Sequence, residues 1–219
     1  MNALEISELL VRSAGVALVG VAWVAAAAGA SEGSTRRTGR TSGLATRMPG
    51  PSVYLLGAIP YFAVCIVLWR PLPIDLTQSG RVICVVAGGL LGAAGAALYL
   101  GGRRALGSMY NVSSSLGSEL YADHELVTNG PYAYVRHPMY LGLMLAATGG
   151  LLVYRTWTLG FMAAALVGAA IKAGGEERLL AAEFGPDWFT YAERVPAWIP
   201  HMRHPRKEVL DDRLTTSGA

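Results

Sequence analysis

Apolar residues fall in long uninterrupted runs rather than alternating with polar ones. Ser13 to Ala30 contains no charge. Further runs cover Pro51 to Trp69, Val82 to Gly102, Met139 to Tyr154 and Trp157 to Ala173. A hydrocarbon core about 30 Å thick takes roughly 20 apolar residues as helix. The runs therefore predict an all-α, polytopic membrane protein with about five transmembrane helices. The last two runs are short and separated only by Arg155-Thr156, which reads as a tight helical hairpin. The organisation expected is helices one to three over 1–102, a region rich in polar motifs over 103–200, and a polar tail over 201–219.

Composition agrees. Of 219 residues, 53% are apolar and 15% charged, against about 25% charged in an ordinary soluble domain. That excludes a disordered chain, and two cysteines exclude a disulfide scaffold. Cys65 and Cys84 read as small buried hydrophobes. The first run resembles a signal peptide, but Glu5 and Glu8 precede it where a positive region is wanted. A retained first helix is expected.

Basic residues set the orientation. Loop 31–50, segment 103–138 and the tail after the fifth run carry 14 of the 18 Lys and Arg residues. Arg12, Arg70, Arg81 and Arg155 make up the rest. Five spans place all fourteen on one side, giving an N-terminus outside and a C-terminus in the cytoplasm. The net charge of +3 needs no nucleic-acid partner. In the third run, Gly88 and Gly92 form a small-xxx-small pair, with Gly95 and Ala96 nearby, suited to close helix packing.

Two polar segments carry the candidate chemistry. Glu119 to Tyr140 reads ELYADHELVTNGPYAYVRHPMY. Asn129-Gly130-Pro131 signals a turn. His137 precedes a proline and is expected to be non-helical, with Pro138 in the first turn of the next helix. That helix start, with Arg136 and His137 beside it, suits a carboxylate or phosphate. Interfacial anchoring by Tyr, Trp and Arg is the competing reading. Gly174 to Pro200 reads GGEERLLAAEFGPDWFTYAERVPAWIP. Glu176 and Glu177 are about 100° apart on a helix, so one can face the bundle and the other water or a basic partner. Lys172 and Glu176, four apart, offer a surface pair instead. Gly185 is expected as a helix cap and Pro186 as the first residue of a new helix. Trp188, Phe189, Tyr191 and Trp198 predict an interfacial helix and loop. His201 and His204 have no third ligand nearby in sequence, so no metal site is expected.

GPYAYVRHPMYLG (Gly130 to Gly142) followed by EERLLAAEFGPDWFTYAERVPAWIP resembles the isoprenylcysteine carboxyl methyltransferase family, whose pattern the phospholipid methyltransferases share. The resemblance covers about residues 103 to 200. It implies an integral membrane methyltransferase that uses S-adenosylmethionine in a pocket at the cytoplasmic helix ends and takes a lipophilic acceptor from the bilayer. By that resemblance His124, Leu126, Val127, Gly130 and Tyr132 line the cofactor pocket. Arg136, His137 and Tyr140 form its Arg-His-Pro-x-Tyr core. Glu176 or Glu177 meets the cofactor's amino group, with Glu176 assigned to the cofactor and Glu177 to catalysis. Tyr191 and Arg194 lie near the acceptor. The stretch around Leu106-Gly107 departs from the family by being serine-rich.

The residue chemistry is compatible. Arg, His and a helix start suit a carboxylate. A glutamate suits an ammonium, and tyrosine faces suit a cation. A carboxylate acceptor needs no general base, only alignment, and Arg194 can hold it bidentately. An NADPH-dependent membrane reductase of the sterol-reductase type and a non-catalytic membrane scaffold are the alternatives. Arg outnumbers Lys 16 to 2, which points to a GC-rich bacterial genome and a bacterial plasma membrane.

Overall fold

A computed structural model describes residues 3–33, 38–43, 59–60, 63–110 and 117–200. The described residues form helices α1 (Ala3–Gly33), α2 (Gln78–Leu106), α3 (Pro138–Tyr154), α4 (Trp157–Ala165), α5 (Val167–Phe184) and α6 (Pro186–Arg194), and residues 63–67 are helical as well. Two strands, β1 (Thr38–Gly43) and β2 (Gly117–Tyr121), pair antiparallel with Thr41 opposite Glu119 and Gly43 opposite Gly117. The protein is therefore mostly helical rather than all-α. The strands come from polar Ser, Thr and Gly segments that cannot form a buried helix face. Pairing satisfies their backbone groups instead.

α2, counted with its terminal 3-10 turn to Met109, is long and apolar enough to cross a membrane. Among the described residues no other helix meets that test. α3 is apolar but has 17 residues, about 26 Å at 1.5 Å per residue. The expected fifth span is divided. Its apolar run breaks at Leu166, and α5 carries the chain on through both glutamates to Phe184. Most of the expected second span, and the whole tail 201–219 with His201 and His204, lie outside the described residues.

α2 and α3 form the central antiparallel pair, held by glycines. A Cβ on Gly95 would lie 2.5 Å from the Gly142 carbonyl, and one on Gly149 would lie 2.5 Å from the Gly88 carbonyl. The contacting glycines are seven apart on both helices. Two helical turns take about 7.2 residues, so this spacing holds one face. The expected pair Gly88 and Gly92 does meet α3, since a Cβ on Gly149 would lie 2.7 Å from the Gly92 nitrogen, and Gly95 extends the contact.

The two ends of this pair differ. At one end the Glu8 carboxylate accepts from Arg81 at 2.8 Å and from Arg155 at 3.4 Å. Arg12 donates to the Val153 carbonyl. Three of the four arginines assigned to the outer side by sequence meet here. Arg70 is tied in through its carbonyl, which accepts from the Trp157 N–H. At the other end, β1 and β2 join loop 31–50 to segment 103–138, the two loops assigned to the opposite side.

Candidate active site

The site grows from the end of α2 and the start of α3. Gly130 has φ +57° and opens the turn Gly130–Ala133. A side chain there would be strained and would press on Ala105. His137 is non-helical at φ −121°, ψ 57°, and Pro138 begins α3. Both follow from the X-Pro restriction. Val135 and Pro138 are fully buried and anchor the segment. The Arg136 and His137 backbone N–H groups donate to the Pro196 and Ala197 carbonyls. The chain after α6 thus lies against the start of α3.

This contact explains the arginine. Arg136 donates to Glu177 Oε1 from Nε at 2.9 Å and lies 2.8 Å from it at a terminal nitrogen. Its other terminal nitrogen donates to the Ala192 and Val195 carbonyls, each at 2.9 Å. A cation at those last carbonyls caps α6 and complements its dipole. His137 Nε2 stands 2.9 Å from the same Glu177 oxygen. The His137 ring packs on Trp198, centroids 5.2 Å apart. The sequence expected an anion on Arg136 and His137. They do hold a carboxylate, and it is the protein's own.

Glu176 faces another partner. The Tyr140 hydroxyl donates to its Oε1 at 2.6 Å. Tyr132 is close enough that the Glu176 charge, with burial as the larger cause, keeps its phenol well above the usual tyrosine range. Glu176, Tyr132 and Tyr140 thus form a second cluster beside the first. The two adjacent carboxylates diverge as helix geometry requires. The Lys172 side chain lies outside the described residues.

Tyr191 is buried and donates to the Tyr132 carbonyl at 2.8 Å. Burial pushes its phenol up to about 12, so it is neutral near pH 7. Arg194 lies exposed in the last turn of α6. Trp188 and Val195 join Tyr191 in a core that also packs Leu126 and Phe184. Trp188 and Tyr191 are therefore core residues, while Phe189 is exposed. Leu126 also belongs to this core. Val127 is half-buried. His124 packs against Phe184 and Tyr121.

The sequence reading missed a neighbouring aromatic group. The Arg103 guanidinium lies 4.2 Å from the centre of the Tyr110 ring, and Tyr121 donates to the Tyr110 carbonyl. The only sequence signal was Arg103 at the end of an apolar helix. Among the described residues no group of His, Cys, Asp or Glu forms a metal cluster.

One end of the helical bundle thus gathers two adjacent glutamates, an Arg-His pair and tyrosines. Residues 83–186 match the family model described as phospholipid methyltransferase. The match takes in α2 from Ile83 onward, the Gly-Pro-Tyr turn, Arg136, His137, Tyr140 and both glutamates, and stops before Tyr191 and Arg194. The chain is 36% identical over 90 residues to protein-S-isoprenylcysteine O-methyltransferase of Schizosaccharomyces pombe, covering 40% of this chain and 38% of that one. It is 32% identical over 143 residues to the cobalt-zinc-cadmium resistance protein CzcN of Cupriavidus metallidurans, covering 63% and 50%. A solved structure of the eukaryotic intramembrane Ras methyltransferase, isoprenylcysteine carboxyl methyltransferase, aligns with TM-score 0.47 at 20% identity, over 70% of this chain and 54% of that one. The matched regions cover half or less of the curated relatives' lengths. Over residues 83–186 the chain is therefore similar to the phospholipid methyltransferases, and over 90 residues to a protein-S-isoprenylcysteine O-methyltransferase.

Proposed function

We propose that this protein transfers a methyl group from S-adenosylmethionine to a lipophilic acceptor, a carboxylate in preference to an amine or phenol, at the cytoplasmic membrane face. The observation that carries this reading is the Tyr140–Glu176 pair with Tyr132 beside it. A carboxylate flanked by phenols suits the cofactor's ammonium and sulfonium charges. When bound, the cofactor supplies an electrophilic methyl group on a positively charged sulfur. Glu176 would hold the ammonium, and Tyr132 and Tyr140 would face the cation. His124, Val127 and Gly130 would border the pocket.

Arg136 and His137 have a different role in this reading. Their Glu177 partner makes that glutamate a positioning residue, which fixes the start of α3 against α5 and α6. Tyr191 is neutral near pH 7 and therefore braces the Tyr132 carbonyl rather than taking a proton. An ionised acceptor carboxylate needs no base, so the remaining task is alignment. Arg194 is exposed beside the Val195 carbonyl that Arg136 holds, and it offers a planar fork for the acceptor.

The placement proposed is a bacterial plasma membrane with about five spans, N-terminus outside and C-terminus in the cytoplasm. The separation of Arg12, Arg81 and Arg155 from the joined basic loops supports it. An impermeant thiol reagent on intact cells should label a cysteine placed at Asp75 and spare one at Arg37. The functional test is equilibrium binding of S-adenosylmethionine, followed by transfer of a labelled methyl group into a lipid extract. Absence of binding by both the cofactor and its demethylated product overturns the reading.

A further inference from the structure

At the end of the bundle opposite the candidate active site, α1 and α2 enclose an open apolar groove of about 310 Å³. Leu4 and Val11 line it from α1, and Val82, Val86, Gly89 and Leu90 from α2. Gly89 leaves the floor open: a Cβ there would come into van der Waals contact with Val11 at 3.6 Å. Val82, Val86 and Leu90 are all exposed. The groove ends at a cationic cluster. Glu8 lies between groove residues Ser7 and Val11, and its partner Arg81 directly precedes Val82.

The cluster has more donors than acceptors. A guanidinium has five N–H donors. Among the described residues, Arg81 uses two on Glu8. Arg155 uses one on Glu8 and one on the Leu152 carbonyl. Arg12 uses one, on the Val153 carbonyl, and its buried Nε–H has no partner. All three guanidiniums act electrostatically on Glu8, and Glu5 acts on Arg81. Three positive charges thus face two negative ones, an excess equal to the charge of one phosphodiester. The Arg81 side chain is 41% exposed, against 17% for Arg155.

We propose that this groove binds an anionic phospholipid of the outer leaflet. One acyl chain lies between α1 and α2, and the phosphate sits on Arg81 with Arg12 and Arg155 behind it. An apolar channel explains the chain, and the surplus donors explain the headgroup. The proposal rests on the membrane placement given above and not on methyl transfer.

The test is native mass spectrometry of the full chain released from detergent containing equal phosphatidylglycerol and phosphatidylcholine with identical acyl chains. Both lipids carry the phosphodiester, but the choline ammonium of phosphatidylcholine cancels its charge and is repelled by the arginines, so about tenfold preference for phosphatidylglycerol is expected. Arg81→Gln should remove the preference. Val86→Trp should fill the groove and lower retention of both lipids, while Phe161→Trp, at an exposed position on α4, should change neither. If Arg81→Gln fails to fold, Val86→Trp decides, because Val86 is 56% exposed. Equal retention of the two lipids by the wild type overturns the proposal, as does undiminished phosphatidylglycerol on Val86→Trp. A Val86→Trp change from dimer to monomer with lipid retention unchanged would assign the groove to a second copy and equally overturn it. S-adenosylmethionine binding, measured on the same samples, should be unaffected by Val86→Trp. Its absence in all samples beside an intact lipid preference would sink only the methyltransferase reading.

Discussion

Each end of the α2–α3 pair is built around one glutamate that two basic side chains approach. Glu8 takes Arg81 and Arg155, and Glu177 takes Arg136 and His137. What surrounds them differs. Glu8 has a side chain only 7% exposed and joins helices far apart in sequence, so it acts as a clasp. Glu177 is 27% exposed and sits next to a second carboxylate, with Tyr140 and Tyr132 at hand. An ion pair alone is weak evidence for chemistry. The proposed function uses the second carboxylate and its phenols for the cofactor, which a structural clasp would not require.

Breaking each clasp should separate the two roles. The largest effect is expected for Arg136→Ala, which strips a donor from Glu177 and from the two carbonyls at the end of α6. We expect a loss of about 2–3 kcal/mol, reduced from fully buried pairs because both side chains are partly exposed. Thermal unfolding should fall by roughly 5–10 °C, and cofactor binding should be lost with it. A wild-type melting temperature would show that α6 needs no such cap. Glu8→Gln should cost less, about 1–2 kcal/mol, since Arg81 is well solvated. Its S-adenosylmethionine affinity should match wild type. A cofactor defect in Glu8→Gln would erase the distinction between the ends.

Parts of this arrangement were legible in the sequence because they are local. His137-Pro138 dictates a break and then a helix start, and both occur. Gly185-Pro186 dictates a cap and a new helix, and Gly185 adopts φ +50°. The sorting of arginines by loop anticipated which of them meet. Other parts were hidden because they are non-local. Nothing near Arg136 shows that its partners are Glu177, Ala192 and Val195. Trp188 and Trp198 look like interfacial anchors until packing shows one buried and the other on His137. The runs TGRTSG and GSELY lack the alternation that betrays a strand. The break at Leu166 falls within a continuous apolar run, where composition carries no mark.

A finer cut separates the two adjacent glutamates. Glu176→Gln keeps the shape and a carbonyl to accept from Tyr140 but removes the charge. S-adenosylmethionine affinity should fall about tenfold, the scale of one charge-assisted contact, while the melting temperature stays close to wild type. Tyr140→Phe should weaken binding less, because the carboxylate survives. Unchanged affinity in Glu176→Gln, measured by calorimetry, would move the ammonium site elsewhere.

The smallest structural perturbation tests the acceptor side. Arg194 is exposed and outside the matched family region, so Arg194→Ala should leave folding and cofactor affinity untouched. If its fork holds an acceptor carboxylate, the loss should appear in the acceptor KM, by about five- to tenfold for one solvent-facing charged contact. Arg194→Lys should recover part of it, since an ammonium keeps the charge but loses the bidentate geometry. An amine acceptor gives another pattern. It has no carboxylate to pair, and Arg194→Ala should then leave KM unchanged or lower it by removing a like charge. The sign of that change therefore reports the chemical class of the acceptor.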